Sequence, residues 1–181
     1  MVAIYDDVTE QKKLEEEIRV LSITDPLTGL FNRRGFIALA EQQMKTANRT
    51  HKKLLLFFID LDGMKAVNDT WGHEEGDRLL VNAANLLKQT FRESDILARI
   101  GGDEFTVLAA VISETPEIVL ARFNHRISRH NALPDQRYEI SMSIGISVYD
   151  PATHCSLDEL MSRADSLMYA QKKEKVRRSP T

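Results

Sequence analysis

Cysteine is almost absent. Cys155 stands alone, so no disulfide framework holds the chain together and no oxidising compartment is required. Long apolar runs are missing too: the longest, LLLFFI from Leu54 to Ile59, is far too short to cross a bilayer. Asp6 and Asp7 arrive too early for a secretory leader. Neither sign of charge dominates, since 24 Lys and Arg stand against 27 Asp and Glu, a formal net charge of -3. That gives no electrostatic reason to capture DNA, RNA or an anionic membrane. A soluble cytoplasmic protein is the expectation, with any membrane attachment left to parts of a longer protein. At 181 residues the chain can bury a real core, as one domain plus an extension.

What is present falls into a clear order. Residues 1–9 read as the end of a preceding unit. From Glu10 to Ile23 the text is charged, with Leu14, Ile18 and Leu21 as a thin apolar stripe. That stripe suits a short coiled coil, a helix lying on the domain, or a solvated connector. Asn32 is placed to cap a helix running to about Ala47. Leu54–Asp60 reads as a buried central strand, followed by a polar loop, DLDGMKAVNDTWGHEEGD. A helix is expected from Glu75 to about Thr90, then strands at Ile96–Ile100 and Glu104–Ala110 with Gly101-Gly102-Asp103 as their turn. Glycine there would supply positive φ. Thr115-Pro116 opens a helix ending near Asn131. Tyr138 to Val148 alternates apolar with polar, which predicts a strand with one face in the core. Ser156 and Glu159 form a capping box for the last helix, whose basic end, from Lys172, is expected to fray. Strand, helix, hairpin, helix, strand is a ferredoxin-like α+β order.

The acids at the strand ends carry the chemistry. Asp60 closes the buried strand, Asp62 follows two residues on, and Asp103 and Glu104 sit at the mouth of the next hairpin. If these strands are neighbours, several carboxylates meet, and a hard cation between them relieves the repulsion. Mg²⁺ keeps phosphate oxygens in its shell, which points to phosphoryl transfer. The plainer reading is that each aspartate is satisfied by local backbone donors. Gly63 allows backbone N–H groups close to a phosphate, and Lys65 adds a point charge. Asn68 and Asp77 have the donors and acceptors to read a guanine edge, though singly they pass for a turn former and a helix-start acid.

These residues resemble the GGDEF domain, the diguanylate cyclase family. The name motif is complete as Gly101, Gly102, Asp103, Glu104 and Phe105. DPLTGLFNRR at 25–34, FFIDLDGMKAVNDTWGHEEGDRLL at 57–80 and ADSLMYAQKK at 164–173 match in order. The resemblance implies a palm-like core, with a mixed, mostly antiparallel sheet flanked by helices as in nucleotidyl cyclases. It implies condensation of two GTP into cyclic di-GMP, with release of two pyrophosphates, across a homodimer. Two Mg²⁺ (or Mn²⁺) per site would sit on Asp60, the Leu61 carbonyl and Asp103, with Glu104 completing the charge environment. Asn68, Asp77 and Leu27 would hold guanine. The amides around Gly63 and Met64, with Lys65 and Lys172, would hold phosphates.

Arg92 and Asp95, in RESD just before the signature, resemble the site where product inhibits, with Arg122 or Arg126 as a second arginine. Alone, they pass for an ion pair at i, i+3. Residues 1–22 resemble the end of a PAS-like sensor and its signalling helix. The catalytic domain is expected over 23–175 and a basic flexible tail over 176–181.

Some positions depart from the family pattern. Gln171 replaces an alanine, and Lys175 and Val176 stand where glycine and arginine are usual, which leaves Lys175 or Arg177 to substitute on phosphate. Gly63 and Met64 replace histidine and phenylalanine. Asp77 favours strict use of GTP. A module that binds cyclic di-GMP or GTP without turnover is the competing class, and intact Asp60, Asp103 and Glu104 argue against it.

Overall fold

Six consecutive apolar residues at Leu54–Ile59 require a strand covered on both faces, and both faces are covered. The computed structural model describes residues 23–110, 115–134, 136–153 and 155–178. The expected sensor remnant, nearly all of the helix at 10–23 and the last three residues lie outside the described residues. In chain order the elements are α1 (Arg33–Thr50), β1 (Leu54–Leu61), α2 (Met64–Trp71), α3 (His73–Thr90), β2 (Ile96–Arg99), β3 (Glu104–Ala110), α4 (Pro116–Asn131), β4 (Met142–Tyr149), a 3-10 turn (Pro151–Thr153) and α5 (Leu157–Arg178).

The sheet order is β2-β3-β1-β4, the ferredoxin-like arrangement. All three ladders are antiparallel. Among the described residues, the parallel pairing in the expected mixed sheet is confined to an isolated bridge between Phe31 and Ala98. Along β1, alternate side chains enter two cores. Leu55, Phe57, Ile59 and Leu61 pack with Leu79, Leu80, Leu87 and Phe123 of α3 and α4. Leu54, Leu56 and Phe58 pack with Phe36, Ala40, Leu160, Ala164 and Met168 of α1 and α5. No helix among the described residues is long and apolar enough to cross a membrane.

The caps act as their residue types dictate. Asn32 Oδ1 accepts from Gly35 N at 2.9 Å. Ser156 and Glu159 bond reciprocally, with Ser156 N to Glu159 Oε2 at 2.8 Å and Glu159 N to Ser156 Oγ at 3.2 Å.

Four expectations need correction. The polar loop after β1 contains helix α2, and α3 starts at His73 rather than Glu75. Gly63 and Gly72 flank α2 with φ of 77° and 87°, and only Val67 of its residues is buried. Met64, Val67 and Trp71 do recur at i, i+3, i+7, but this two-turn stripe is short and lies between two glycines that carry loop signals. The turn glycines 101 and 102 do not adopt left-handed φ. A Cβ on Gly101 would instead lie 2.5 Å from Glu104 Oε2, so its smallness makes room for the carboxylate. The polar face of β4, which begins at Met142 rather than Tyr138, lies beneath α5. Ser147 Oγ donates to Leu160 O at 2.8 Å, and a Cβ on Gly145 would lie 1.9 Å from Ala164 O. One face, with Met142 and Ile144, lies in the core as expected, and the polar positions mark close helix approach. Lastly, α5 does not fray at Lys172 but continues to Arg178.

Candidate active site

β1 and β3 are registered so that Asp60 stands opposite Glu104. Cross-strand partners share a face, here the one covered by α1 and α5. The signature turn closes on the same strand end, where Leu61 N donates to Asp103 O at 3.0 Å. Arg99 secures that turn, with Nε and Nη2 donating to Gly102 O at 3.0 and 2.8 Å. The same guanidinium pairs with Asp25 at 3.2 Å, and Asp25 Oδ1 accepts from Thr28 N and Thr28 Oγ1 at 2.8 and 2.6 Å. The DPLTG block is thus wired to the signature.

Asp60 is only 7 % exposed. Burial raises its pKa, as do the charges of Asp103 and Asp62, and this outweighs the lowering by Lys172, whose Nζ lies 2.5 Å from Oδ1. Burial works against the charge of Lys172, but bonding to Asp60 prevails and its pKa is raised. Burial also raises the Glu104 pKa, with the charges of Asp103, Asp165 and Asp60 adding to the effect. Among the described residues, no three His, Cys, Asp or Glu side chains converge at metal-binding spacing. Asp60 is paired with a lysine, and Asp62 is consumed elsewhere. Oxygen donors that repel one another in a half-buried corner nevertheless suit a hard cation.

Asp62 belongs to a separate knot. It accepts from Ser141 Oγ at 2.8 Å, Ser143 Oγ at 2.7 Å and Lys175 Nζ at 2.8 Å. Burial opposes its charge, and these bonds, led by Lys175, nevertheless hold its pKa below the usual carboxylate range. Lys175, one of the two residues left to substitute on phosphate, is thus bonded to Asp62.

Beside the acids, Gly63 opens α2 in the left-handed region with no side-chain cap, leaving first-turn N–H groups for another acceptor. Lys65, in that first turn, is exposed. Asn68 packs against Gly76, where a Cβ would lie 1.9 Å from Asn68 Oδ1. That oxygen is buried and unpartnered. Leu27 and Asp77 line one cleft of about 530 Å³, and Asn68 is not among its lining residues. Gln136, Arg137 and Tyr138 also line it, though the sequence pattern marks Tyr138 only as a strand residue. Arg137 and the Tyr138 hydroxyl both reach Glu75, at 3.4 and 3.3 Å.

Arg92 and Asp95 line a different cleft of about 480 Å³, with Leu30, Lys88 and Leu97. Their link is a backbone amide, Arg92 N donating to Asp95 Oδ2 at 2.9 Å, rather than an ion pair alone. Burial raises the Asp95 pKa against the pull of Arg92 and Arg122. Of the two candidate second arginines, Arg122 is the one whose charge reaches Asp95, while Arg126 lines a separate cleft between α3 and α4.

Comparison with known proteins gives one consistent result. The family model described as "Diguanylate cyclase, GGDEF domain" matches residues 22–178. The chain is 37% identical over 173 residues to the probable diguanylate cyclase DgcE of Escherichia coli K12, covering 94% of this chain and 16% of that protein. It is 37% identical over 165 residues to the bifunctional diguanylate cyclase/cyclic di-GMP phosphodiesterase MucR of Pseudomonas aeruginosa, covering 91% and 24%. The chain thus spans a quarter or less of these relatives.

Among solved structures, the coiled coil and GGDEF domain of DgcB from Caulobacter crescentus, in complex with c-di-GMP, superposes with TM-score 0.76 at 26% identity over 93% of this chain and 90% of that one. Diguanylate cyclase SiaD from Pseudomonas aeruginosa, in complex with its activator SiaC, gives 0.75 at 29% identity over 96% and 67%. With the fold, the complete signature in the β2–β3 turn and the start of β3, and the matched blocks in place, the chain belongs to the GGDEF domain family of diguanylate cyclases.

Proposed function

We propose that the chain condenses two GTP into cyclic di-GMP, each ribose 3′-hydroxyl attacking the α-phosphorus of the opposing GTP and expelling pyrophosphate. The observation that carries this is the register placing Asp60 opposite Glu104, with the Asp103 turn closed onto Leu61. Asp60, Asp103, Glu104 and the Leu61 carbonyl are the oxygen donors that would hold two Mg²⁺ or Mn²⁺. When bound, such ions lower the hydroxyl pKa and neutralise charge on the transferring group.

The chain's own groups supply binding and orientation. Asp77 and Asn68 would read guanine, with Leu27 against the base. The unpartnered Asn68 Oδ1 supports this, because a buried acceptor without a donor invites one from a ligand. The first-turn amides of α2 after Gly63, at Met64 and Lys65, would hold the distal phosphates with the Lys65 and Lys172 ammonium groups. One domain holds one GTP, so two copies must face each other for attack to occur. Product would inhibit by binding the Arg92–Asp95 cleft with Arg122. In a longer protein an upstream sensor would set how the two copies meet.

The test is incubation with GTP and Mg²⁺ across a range of protein concentrations, followed by nucleotide separation. Cyclic di-GMP should form with a rate per protomer that rises with concentration, and Asp103→Ala should abolish it. A dimeric sample that binds GTP or cyclic di-GMP without forming product would leave a binding module in place of the enzyme.

A further inference from the structure

We propose that Lys175 is a positioning residue for Lys172. It pins the last turns of α5 to Asp62 and so keeps Lys172 at the mouth of the candidate site; this rests on the reading of Asp60 and Lys172 as parts of a nucleotide site.

Helix α5 needs such an anchor because its apolar stripe ends early. Its buried residues are Leu157, Leu160, Ala164 and Met168. Beyond Met168 no residue of the helix is buried, and Val176 is 72 % exposed. An isolated helical end rich in lysine is marginal in water, and most helical stability comes from tertiary packing. What holds these last turns is polar. Gln171 Oε1 accepts from Ile144 N at 2.5 Å, Lys172 meets Asp60, and Lys175 Nζ donates to Asp62 Oδ2 at 2.8 Å, Ser141 Oγ at 3.3 Å and Met142 O at 2.5 Å. Lys172 and Lys175 are one turn apart on one face, and their partners are two residues apart at the end of β1.

The two pairs differ in what else their acids can do. Asp62 is fully committed to Ser141, Ser143 and Lys175. Asp60 has one side-chain partner among the described residues, Lys172, whose Nζ lies 2.5 Å from Oδ1. A ligand that draws Lys172 away from Asp60 therefore removes one attachment of α5, while Lys175 keeps the helix docked. Lys175 so fixes the arc over which Lys172 can move without itself touching substrate.

The test compares wild type with Lys175→Met, which keeps the aliphatic stem and removes the three donors. In ligand-free protein, amide exchange over residues 170–178 should quicken by about tenfold or more. A Lys172 ammonium resonance, slowed by the bond to Asp60, is expected in nitrogen NMR of wild type and should be lost in the variant. Affinity for a non-hydrolysable GTP analogue should fall by about tenfold, with KM raised and kcat within about twofold. In a Lys172→Met background, adding Lys175→Met should change that affinity by less than about twofold.

Unchanged exchange with the Lys172 signal retained overturns the proposal. So does an affinity loss that is the same with and without Lys172. The first two readouts need no turnover and no nucleotide, so they decide the anchor even if no cyclic di-GMP is made.

Discussion

Arg99 and Asp25, 74 residues apart in sequence, meet at 3.2 Å, and the same guanidinium holds the carbonyl of Gly102. The DPLTG block and the signature turn are therefore one mechanical unit. Burial would raise the Asp25 pKa, but bonds from Thr28 and the charge of Arg99 prevail and lower it. A carboxylate with a depressed native pKa contributes stability above its unfolded pKa and loses it as pH falls through the native value. Asp25→Asn should cost about 1–2 kcal/mol near pH 7. The difference from wild type should vanish in acid, as read by denaturant unfolding at several pH values.

Glu104 has the opposite sign. Burial and the charges of Asp103, Asp165 and Asp60 raise its pKa. Its ionised form is penalised in the fold, so its contribution is most favourable when protonated and is lost as pH rises past the unfolded value. Glu104→Gln should raise the Tm of metal-free protein at pH 7, and the gain should shrink towards pH 4. The same change should remove product formation, a trade of stability against activity. A lower Tm at pH 7 would contradict the electrostatic account.

Gly145 tests how closely α5 lies on the sheet. A Cβ there would sit 1.9 Å from Ala164 O and 2.4 Å from Met168 N, both backbone atoms that cannot swing aside. Gly145→Ala should destabilise by about 2–3 kcal/mol, measured by chemical denaturation. Gly102→Ala, where a Cβ meets nothing within 4 Å, should cost far less.

At the second cleft, the turn is closed by the backbone amide of Arg92, which an alanine retains. Arg92→Ala should keep wild-type stability and initial rate while weakening cyclic di-GMP affinity about tenfold or more, since charge-assisted bonds to phosphate are the strong ones. Calorimetric titration of product checks the affinity. Equal affinity in both proteins would place inhibition elsewhere.

The sheet and its flanking helices were legible because β1 is one apolar run and the helices carry period-3.6 stripes or caps at Asn32 and Ser156. Helix α2 was not, because its stripe of Met64, Val67 and Trp71 spans only two turns among polar residues and its bounding glycines resemble a loop. Asp60 and Glu104 could be brought together only on the condition that their strands are neighbours, a condition the β1–β3 register meets. The Lys175–Asp62 knot was hidden, because it depends on α5 crossing β4 at the level of Ser141 and Ser143, a tertiary distance that no local pattern encodes. The serines in the β4 alternation were its one trace, and they read equally well as a solvent face.

At the end of the sheet where the acids lie, both outer strands are already closed by their own chain. Phe31 exchanges backbone bonds with Leu97 and Arg99 on β2, and Gln171 and Lys175 take up Ile144 N and Met142 O on β4. Two copies meeting at this end cannot fuse into a shared continuous sheet there and must join through side chains and whatever lies between them. Such a union would form and dissolve without any main-chain ladder being broken.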